Sequence, residues 1–346
     1  MTRFAVVTAM RNEGPHLLEW VAHTRAVGAD DILVISNDCD DGSDNLLDAL
    51  AAGGAVTHLR QELPRSRTPQ WAALRLAGEH PAVRDADWIA VLDCDEFINL
   101  RPPLSRLSDL VARVEADAIV LPWRLFGHAG HTTRPAGGTL ASYTRAIPDD
   151  ALYPPLSRFF KTLYRRRGPF QKPGVHRPKQ RPDSVPHWVD GSGQALPDSF
   201  AAASDRIMLW GAPLATGLVQ LNHYSLRSAE DFLLKRARGL PNRHTKPIDM
   251  TYWVERNFNT VEDTSIAHLR PAMQAEAARL RALPGVAEAE AACLSRARAA
   301  FERLLDDPET LQFYGRLLLA TDSTPPDAET ALRLVRRFAA ARGAGA

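Results

Sequence analysis

Cysteine is nearly absent. Cys39, Cys94 and Cys293 are the only three in 346 residues, and no two of them form a CxxC pair. An odd, scattered set in a chain of this size excludes a disulfide framework and suits a reducing compartment. No apolar run approaches the roughly 18 residues that a membrane helix needs. The first ten residues, MTRFAVVTAM, begin a strand without the apolar core of a signal peptide. Both absences lead to the expectation of a cytoplasmic protein. Excess charge is missing too: 42 Lys and Arg against 41 Asp and Glu leave +1. No global field draws nucleic acid, so nucleic acid is not an expected partner and any basic site is local.

The glycine-rich phosphate loops are also missing. GxxxxGK[ST] does not occur, and the turn after the first apolar run, TAMRNEGPH, lacks GxGxxG. The glycine-rich loop with a basic residue that serves sugar nucleotidyltransferases is absent as well. A diphosphate bound here needs a metal ion in place of a glycine-rich backbone.

What the first 125 residues do contain is a regular alternation. FAVVTA (4–9), DILVIS (31–36), AVTHLR (55–60), WIAVLD (88–93) and AIVLPWRLF (118–126) read as strands. Helical patterns fall at 15–28, with Pro15 first and Gly28 last, at 44–54, and over about 70–79. Continuous apolar strands alternating with helices predict an α/β fold with a mostly parallel sheet covered on both faces. Ligands of such sheets bind beyond the carboxyl ends of the strands. From 127 to 225 the chain turns irregular and rich in Gly, Pro, His and Arg. SAEDFLLKRARG (228–239) is helical again, with Ser228 and Asp231 spaced as a capping box and Gly239 at the stop. Residues 266–346, rich in Ala, Arg, Leu and Glu, predict a helical C-terminal appendage. The expected organisation is a domain over 1–240, divided into a donor half (1–126) and an acceptor half (127–240), followed by a mostly helical region over 241–346.

WIAVLDCDEFINL (88–100) carries the sharpest signal. A buried strand does not ordinarily end in Asp93, Asp95 and Glu96, because packed carboxylates repel and one must take up a proton. Asp93 and Asp95, at i and i+2 of a strand end, can turn to one site and suit Mg2+ or Mn2+, which also bridge phosphates. A divalent ion offsets the repulsion. The second strand opens into SNDCDDGSD, where Asn37 and Asp38 can accept hydrogen bonds from a ribose or a base, while 41–44 read as a turn and N-cap.

These stretches resemble a known family. RNEGPHLLEWVAHTRAVGADDILVISNDCDDGS, then Gln70, DWIAVLDCDEFINL, WRLFGHAGH and LNHYSLRSAEDFLLKRARG are similar, in that order, to family 2 type glycosyltransferases of the GT-A fold. The closest subgroup carries NE…EW, DxDEF and HY…S…F..K motifs, and the resemblance spans about residues 3–240. It implies a GT-A, Rossmann-like fold and metal-dependent, inverting transfer of a sugar from a nucleotide-diphosphate-sugar donor. By the same resemblance, Asp93 and Asp95 hold Mn2+ or Mg2+ against the donor diphosphate, and His223 completes the metal shell. Asn12 and Glu13 lie beside the nucleoside, Asn37 and Asp38 contact base or ribose, and Gln70 heads the helix before the DxD strand. Glu96 orients the loop or contacts the donor sugar.

The acceptor half is less legible. Asp190, in HWVDGSG, is the favoured catalytic base because an aromatic residue and glycines flank it. Lys172, His176, Arg177, His187 and Trp188 are candidates for acceptor or phosphate contact. Residues 158–181 hold nine Lys or Arg and no acid. That run suits a glycan, lipid-linked or anionic acceptor, or peripheral contact with the charged inner face of a membrane. A surface-polysaccharide role follows by fold analogy alone. Two rival readings stand beside the transferase: a non-catalytic GT-A scaffold that binds nucleotide-sugar or glycan, and a DxD phosphohydrolase. The latter wants its DxD on the first core strand followed by Thr or Val, whereas here it follows the fourth strand and precedes Glu96.

Overall fold

The computed structural model describes residues 2–62, 68–209, 214–239 and 248–343. Among the described residues, thirteen strands run in chain order as β1 (Phe4–Met10), β2 (Asp31–Ser36), β3 (Thr57–Arg60), β4 (Trp88–Val91), β5 (Glu96–Leu100), β6 (Ala118–Leu125), β7 (Arg145–Ala146), β8 (Phe160–Arg165), β9 (Phe170–Lys172), β10 (Lys179–Gln180), β11 (Trp188–Val189), β12 (Val219–His223) and β13 (Val261–Glu262). Nine of them form one sheet in the order β3-β2-β1-β4-β8-β6-β12-β5, with β11 also against β6.

The four strands β3, β2, β1 and β4 are parallel, as their continuous apolar runs demand. The other half departs from the expected parallel order. β8 enters antiparallel between β4 and β6, and β5 is antiparallel to β12. Both β8 and β12 come from the stretch that reads as irregular. The result is a mixed, mostly parallel α/β sheet flanked by helices, consistent with a GT-A-like fold.

Two features of this topology build the site. The strands β1, β2 and β4 end on one side of the sheet. Residues 92–95 then carry the chain from β4 to β5 on the far side of β12, where Glu96 pairs with His223. The acidic turn therefore bridges the two halves of the sheet.

The C-terminal region is helical over Arg270–Arg281, Val286–Leu305, Pro308–Leu319 and Ala328–Gly343. It shares the main core: Met273, Leu280, Val286 and Cys293 belong to the same buried cluster as Trp20, Leu46 and Leu50. Arg25 on the Gly14–Ala26 helix donates to Glu276 across 2.7 Å. Gly14 is required where that helix meets Val286–Leu305, because a Cβ there would sit 2.6 Å from Cys293 Sγ. The expected division between residues 240 and 241 lies outside the described residues. Among the described residues no helix is long and apolar enough to cross a membrane.

Candidate active site at the strand ends

The cluster at the bridging turn is held by two lysines. Lys161, on β8 and without exposed side-chain surface, donates to Asp93 Oδ2 at 3.0 Å and lies 3.4 Å from Glu96 Oε2. Lys235, on the Ala229–Arg238 helix, donates to Asp95 Oδ2 and to the Ser225 carbonyl, each at 2.8 Å. The other Asp95 oxygen is 3.6 Å from His223 Nε2. Glu96, fully buried, accepts from the Asp93 amide at 2.8 Å, and its Oε1 has no partner.

Protonation follows from these contacts. Burial raises the Glu96 pKa well above the usual carboxylate range, with Lys161 opposing and Asp93 reinforcing it. Of Glu96 and Asp95, it is Glu96 that retains its proton to higher pH. Burial acts in the same direction on Asp95, but Lys235 and then His223 overcome it and hold that carboxyl well below its usual range. His223 is pushed down by burial, against the pull of Asp95, and so favours the neutral imidazole. Burial also opposes charge on Lys161, yet Asp93 and Glu96 keep its pKa raised.

These contacts bear on the expected metal. Each aspartate gives one oxygen to an ammonium, and among the described residues no three His, Cys, Asp or Glu side chains are grouped to hold a metal ion. As arranged, Asp93 and Asp95 are each engaged by an ammonium, so a divalent cation at Asp93, Asp95 and His223 has first to displace Lys161 and Lys235.

A second group lies at the ends of β2 and β3. Asn37, Gln61 and Gln70 are buried, and each has a side-chain carbonyl oxygen without a partner. Gln61 links them: its amide nitrogen donates to the Ser36 carbonyl, and its side chain donates to the Pro69 carbonyl at the head of the helix that carries Gln70. Three acceptors buried without donors are costly unless a ligand supplies N–H or O–H groups. Gln61 escaped sequence analysis because it follows the weakest strand and belongs to no motif. Asp38 is exposed beside Asn37, with its backbone in the left-handed region (φ 47°).

An aromatic wall completes the opening. Trp123 lies 4.1 Å, centroid to centroid, from His223, and its buried indole N–H is unpartnered. His176 stacks on Phe159 at 5.2 Å and lies 5.5 Å from Trp123. Burial, then the nearby Lys161, lowers its pKa to about 4.

The remaining candidates are placed elsewhere or are already engaged. Asn12 exchanges hydrogen bonds with Asp40, and Glu13 is buried against Arg227 and Arg238. Asp190 is not brought to the cluster. It follows Val189, which pairs with Ile119, whereas His223 pairs with Leu125, six residues farther along β6. At about 3.3 Å per residue that is roughly 20 Å, and the Asp190 carboxylate instead accepts from Ser192 and Gln194 amides in its own turn. Arg177 is buried and caps carbonyls of Phe200, Ala201 and Arg206 while lying over Trp188. Trp188 is core, in edge contact with Phe170 and Phe200. Lys172 and His187 are exposed, on a β9–β10 ribbon and beside Asp117 respectively. The basic run is accordingly not one solvated patch, for Arg158, Lys161 and Arg177 are all buried.

No family model matches the chain. A segment of 147 residues, 40% of the chain, is 26% identical to a glycosyltransferase family 92 protein of Oryza sativa subsp. japonica, of which it covers 24%. It is also 26% identical to a glycosyltransferase family 92 protein of Ricinus communis, of which it covers 25%. The matched part thus spans about a quarter of the length of these curated relatives. Among solved structures, S. aureus TarS 1-349 in complex with UDP is similar at 12% identity and a TM-score of 0.31, over 48% of this chain and 47% of that one. Full-length S. aureus TarS is similar at 12% identity and a TM-score of 0.32, over 87% of this chain and 55% of that one.

Proposed function

We propose that the chain is a glycosyltransferase that takes a sugar from a nucleotide-diphosphate-sugar donor and passes it, with inversion, to a hydroxyl acceptor. The observation that carries this is the convergence, at one end of the sheet, of two groups with complementary needs. Asn37, Gln61 and Gln70 leave three buried oxygens unpaired, which suits the N–H and O–H groups of a nucleoside. At the same end of the sheet, Lys161 and Lys235 are paired with Asp93 and Asp95, and a diphosphate leaving group binds by taking Lys235 over from Asp95. The segments similar to family 92 glycosyltransferases support the same chemistry.

In this reading Trp123 offers its unpaired indole N–H to a sugar hydroxyl, and His176 and Phe159 border the acceptor. The divalent ion expected at Asp93, Asp95 and His223 is a separate part of the proposal, because Lys161 and Lys235 would first have to release their carboxylates. Calorimetry tests it: no saturable Mn2+ binding to the free chain is expected, and binding once a nucleotide is present. A glycan, lipid-linked or anionic acceptor, a cytoplasmic location and peripheral membrane contact belong to the proposal on the sequence alone.

Thermal unfolding with a panel of nucleoside diphosphates and nucleotide-sugars, for wild type, Asp93→Asn and Gln70→Ala, tests the donor site. One nucleotide should raise the wild-type Tm, with the shift lost in both variants. If no nucleotide shifts the wild-type Tm at millimolar concentration, the donor reading fails and the scaffold and phosphohydrolase readings replace it.

A further inference from the structure

Asn37 and Gln61 continue the parallel ladder by one residue beyond β2 and β3. The Asn37 backbone amide donates to the Met10 carbonyl at 3.2 Å, and the Gln61 amide to the Ser36 carbonyl at 2.9 Å. Ser36 pairs with Arg60, so Asn37 and Gln61 stand side by side, their backbones about 4.8 Å apart. Side chains alternate along a strand. Ile35 and Leu59 pack in one cluster with Ala73, Leu74 and Ala77 of the Pro69–Glu79 helix. Asn37 and Gln61, two residues on from Ile35 and Leu59, therefore face that same helix, and Gln70 stands in its first turn. The three amides share one side of the sheet.

Their hydrogen bonds fix which atom is offered. Asn37 Nδ2 donates to Asp38 Oδ2 at 3.1 Å, and Gln61 Nε2 donates to the Pro69 carbonyl at 3.0 Å. Turning either amide over would set oxygen against oxygen, so Asn37 Oδ1 and Gln61 Oε1 are held as acceptors. Both are buried without a donor. Gln70 differs: among the described residues its amide nitrogen has no partner, so it can offer either end to a ligand. Arg60, the neighbouring cation in sequence, is turned away to Asp44 and Asp48. The pattern is two fixed acceptors side by side and one adaptable amide.

A nucleobase has to match it. Uracil and thymine present a single N–H between two carbonyl oxygens, so one of two adjacent acceptors would meet an oxygen. Adenine and cytosine each carry an amino group beside an acceptor ring nitrogen. Among the common bases, guanine sets two donors next to each other, N1–H and the 2-amino group, with the acceptor O6 beyond them.

We infer that Asn37 Oδ1 and Gln61 Oε1 select guanine, with the Gln70 amide donating to O6, so that the donor is a guanosine-diphosphate sugar. The inference rests on the donor-site reading and adds the base to it. A site built to accept hydrogen bonds rejects a base that cannot donate them, because its own buried oxygens stay unpaired.

Calorimetric titration of GDP, IDP, UDP, dTDP, ADP and CDP into the full chain, with Mn2+ present, tests this. IDP is the sharpest probe, since hypoxanthine keeps N1–H and O6 and lacks the 2-amino group alone. GDP should bind on the order of tenfold to a hundredfold more tightly than IDP, and the other four should bind more weakly than GDP by at least as much. In Asn37→Leu and in Gln61→Leu the preference for GDP over UDP should shrink on the order of tenfold. Equal binding of GDP and IDP overturns the inference, as does any of the other four binding as tightly as GDP; in both cases the donor reading stands. A full GDP preference kept in both variants overturns it too. If no nucleotide binds, the donor reading and this inference fall together. The wild-type titrations decide the matter by themselves should a variant fail to fold.

Discussion

Lys161 donates to Asp93 across 3.0 Å from a position with no exposed side-chain surface, 68 residues farther along the chain. The ammonium is the internal counter-ion of the acidic turn. Lys161→Met removes it without leaving a cavity of comparable size. Breaking a buried pair by deleting one partner costs about 3–5 kcal/mol, because the other charge is stranded. Asp93 is 35% exposed and keeps some water, so the lower end is expected. Denaturant unfolding measures it, and a loss under about 1 kcal/mol would mean that the pair contributes as a surface salt bridge does.

Glu96→Gln should be far milder. Because burial raises the folded Glu96 pKa, the stability this group contributes is fully present below its unfolded pKa of about 4.3 and lost as pH rises through the folded value. Glutamine keeps a neutral group at all pH values. The Tm of Glu96→Gln relative to wild type should therefore improve as pH rises from about 4.3 through the folded Glu96 value. A flat difference would mean that Glu96 does not titrate differently in the two states.

His23 predicts the opposite trend in acid. It is buried beneath β5, with Nε2 2.8 Å from the Ile98 carbonyl, and burial lowers its pKa to about 4. The unfolded chain binds this proton from about pH 6.5, so stability falls as pH drops from there to about 4, by up to about 3 kcal/mol for one group. His23→Gln should flatten that part of the profile. An unchanged slope would assign the acid sensitivity to His176, His223 or other groups.

Gly14→Ala tests how the C-terminal helices seat. The added Cβ meets Cys293 Sγ at 2.6 Å and Cys293 Cβ at 2.7 Å, an overpacking that costs about 1–3 kcal/mol. Cys293→Gly removes both clashing atoms, so the double variant should recover much of the packing loss, whereas Cys293→Ala keeps the Cβ and should recover less. Additive effects in a double-mutant cycle would mean that the two positions do not touch.

How far the sequence revealed this site depended on where the information lay. β1, β2, β4 and β6 were legible because each is a continuous apolar run, as a doubly covered strand must be. β8 was not, since FKTLYR carries a lysine and leads into three arginines. Lys161 is tolerable inside the sheet only because Asp93 and Glu96 meet it there, a contact no local pattern contains. The acidic turn stood out in the sequence as a site of close carboxylates, and burial raises the pKa of Glu96 within it. Asp190 and Trp188 looked like cleft residues from their neighbours in sequence. Register decides otherwise, since β11 joins the opening residues of β6 rather than its far end.

The bridge between β4 and β5 has only residues 92–95 in which to cross from one half of the sheet to the other. Its length fixes more than reach. Alternate residues of a strand face opposite ways, so one inserted residue after Val91 would reverse the side each β5 residue presents to its neighbours. Glu96 would turn from Lys161, and Phe97 would leave its packing against His23 and Tyr224. Spacing and chemistry are thereby locked together: a chain drifting through evolution can exchange side chains in this turn one at a time, but it cannot change the turn's length by a single residue without losing the acidic group and the core in the same step.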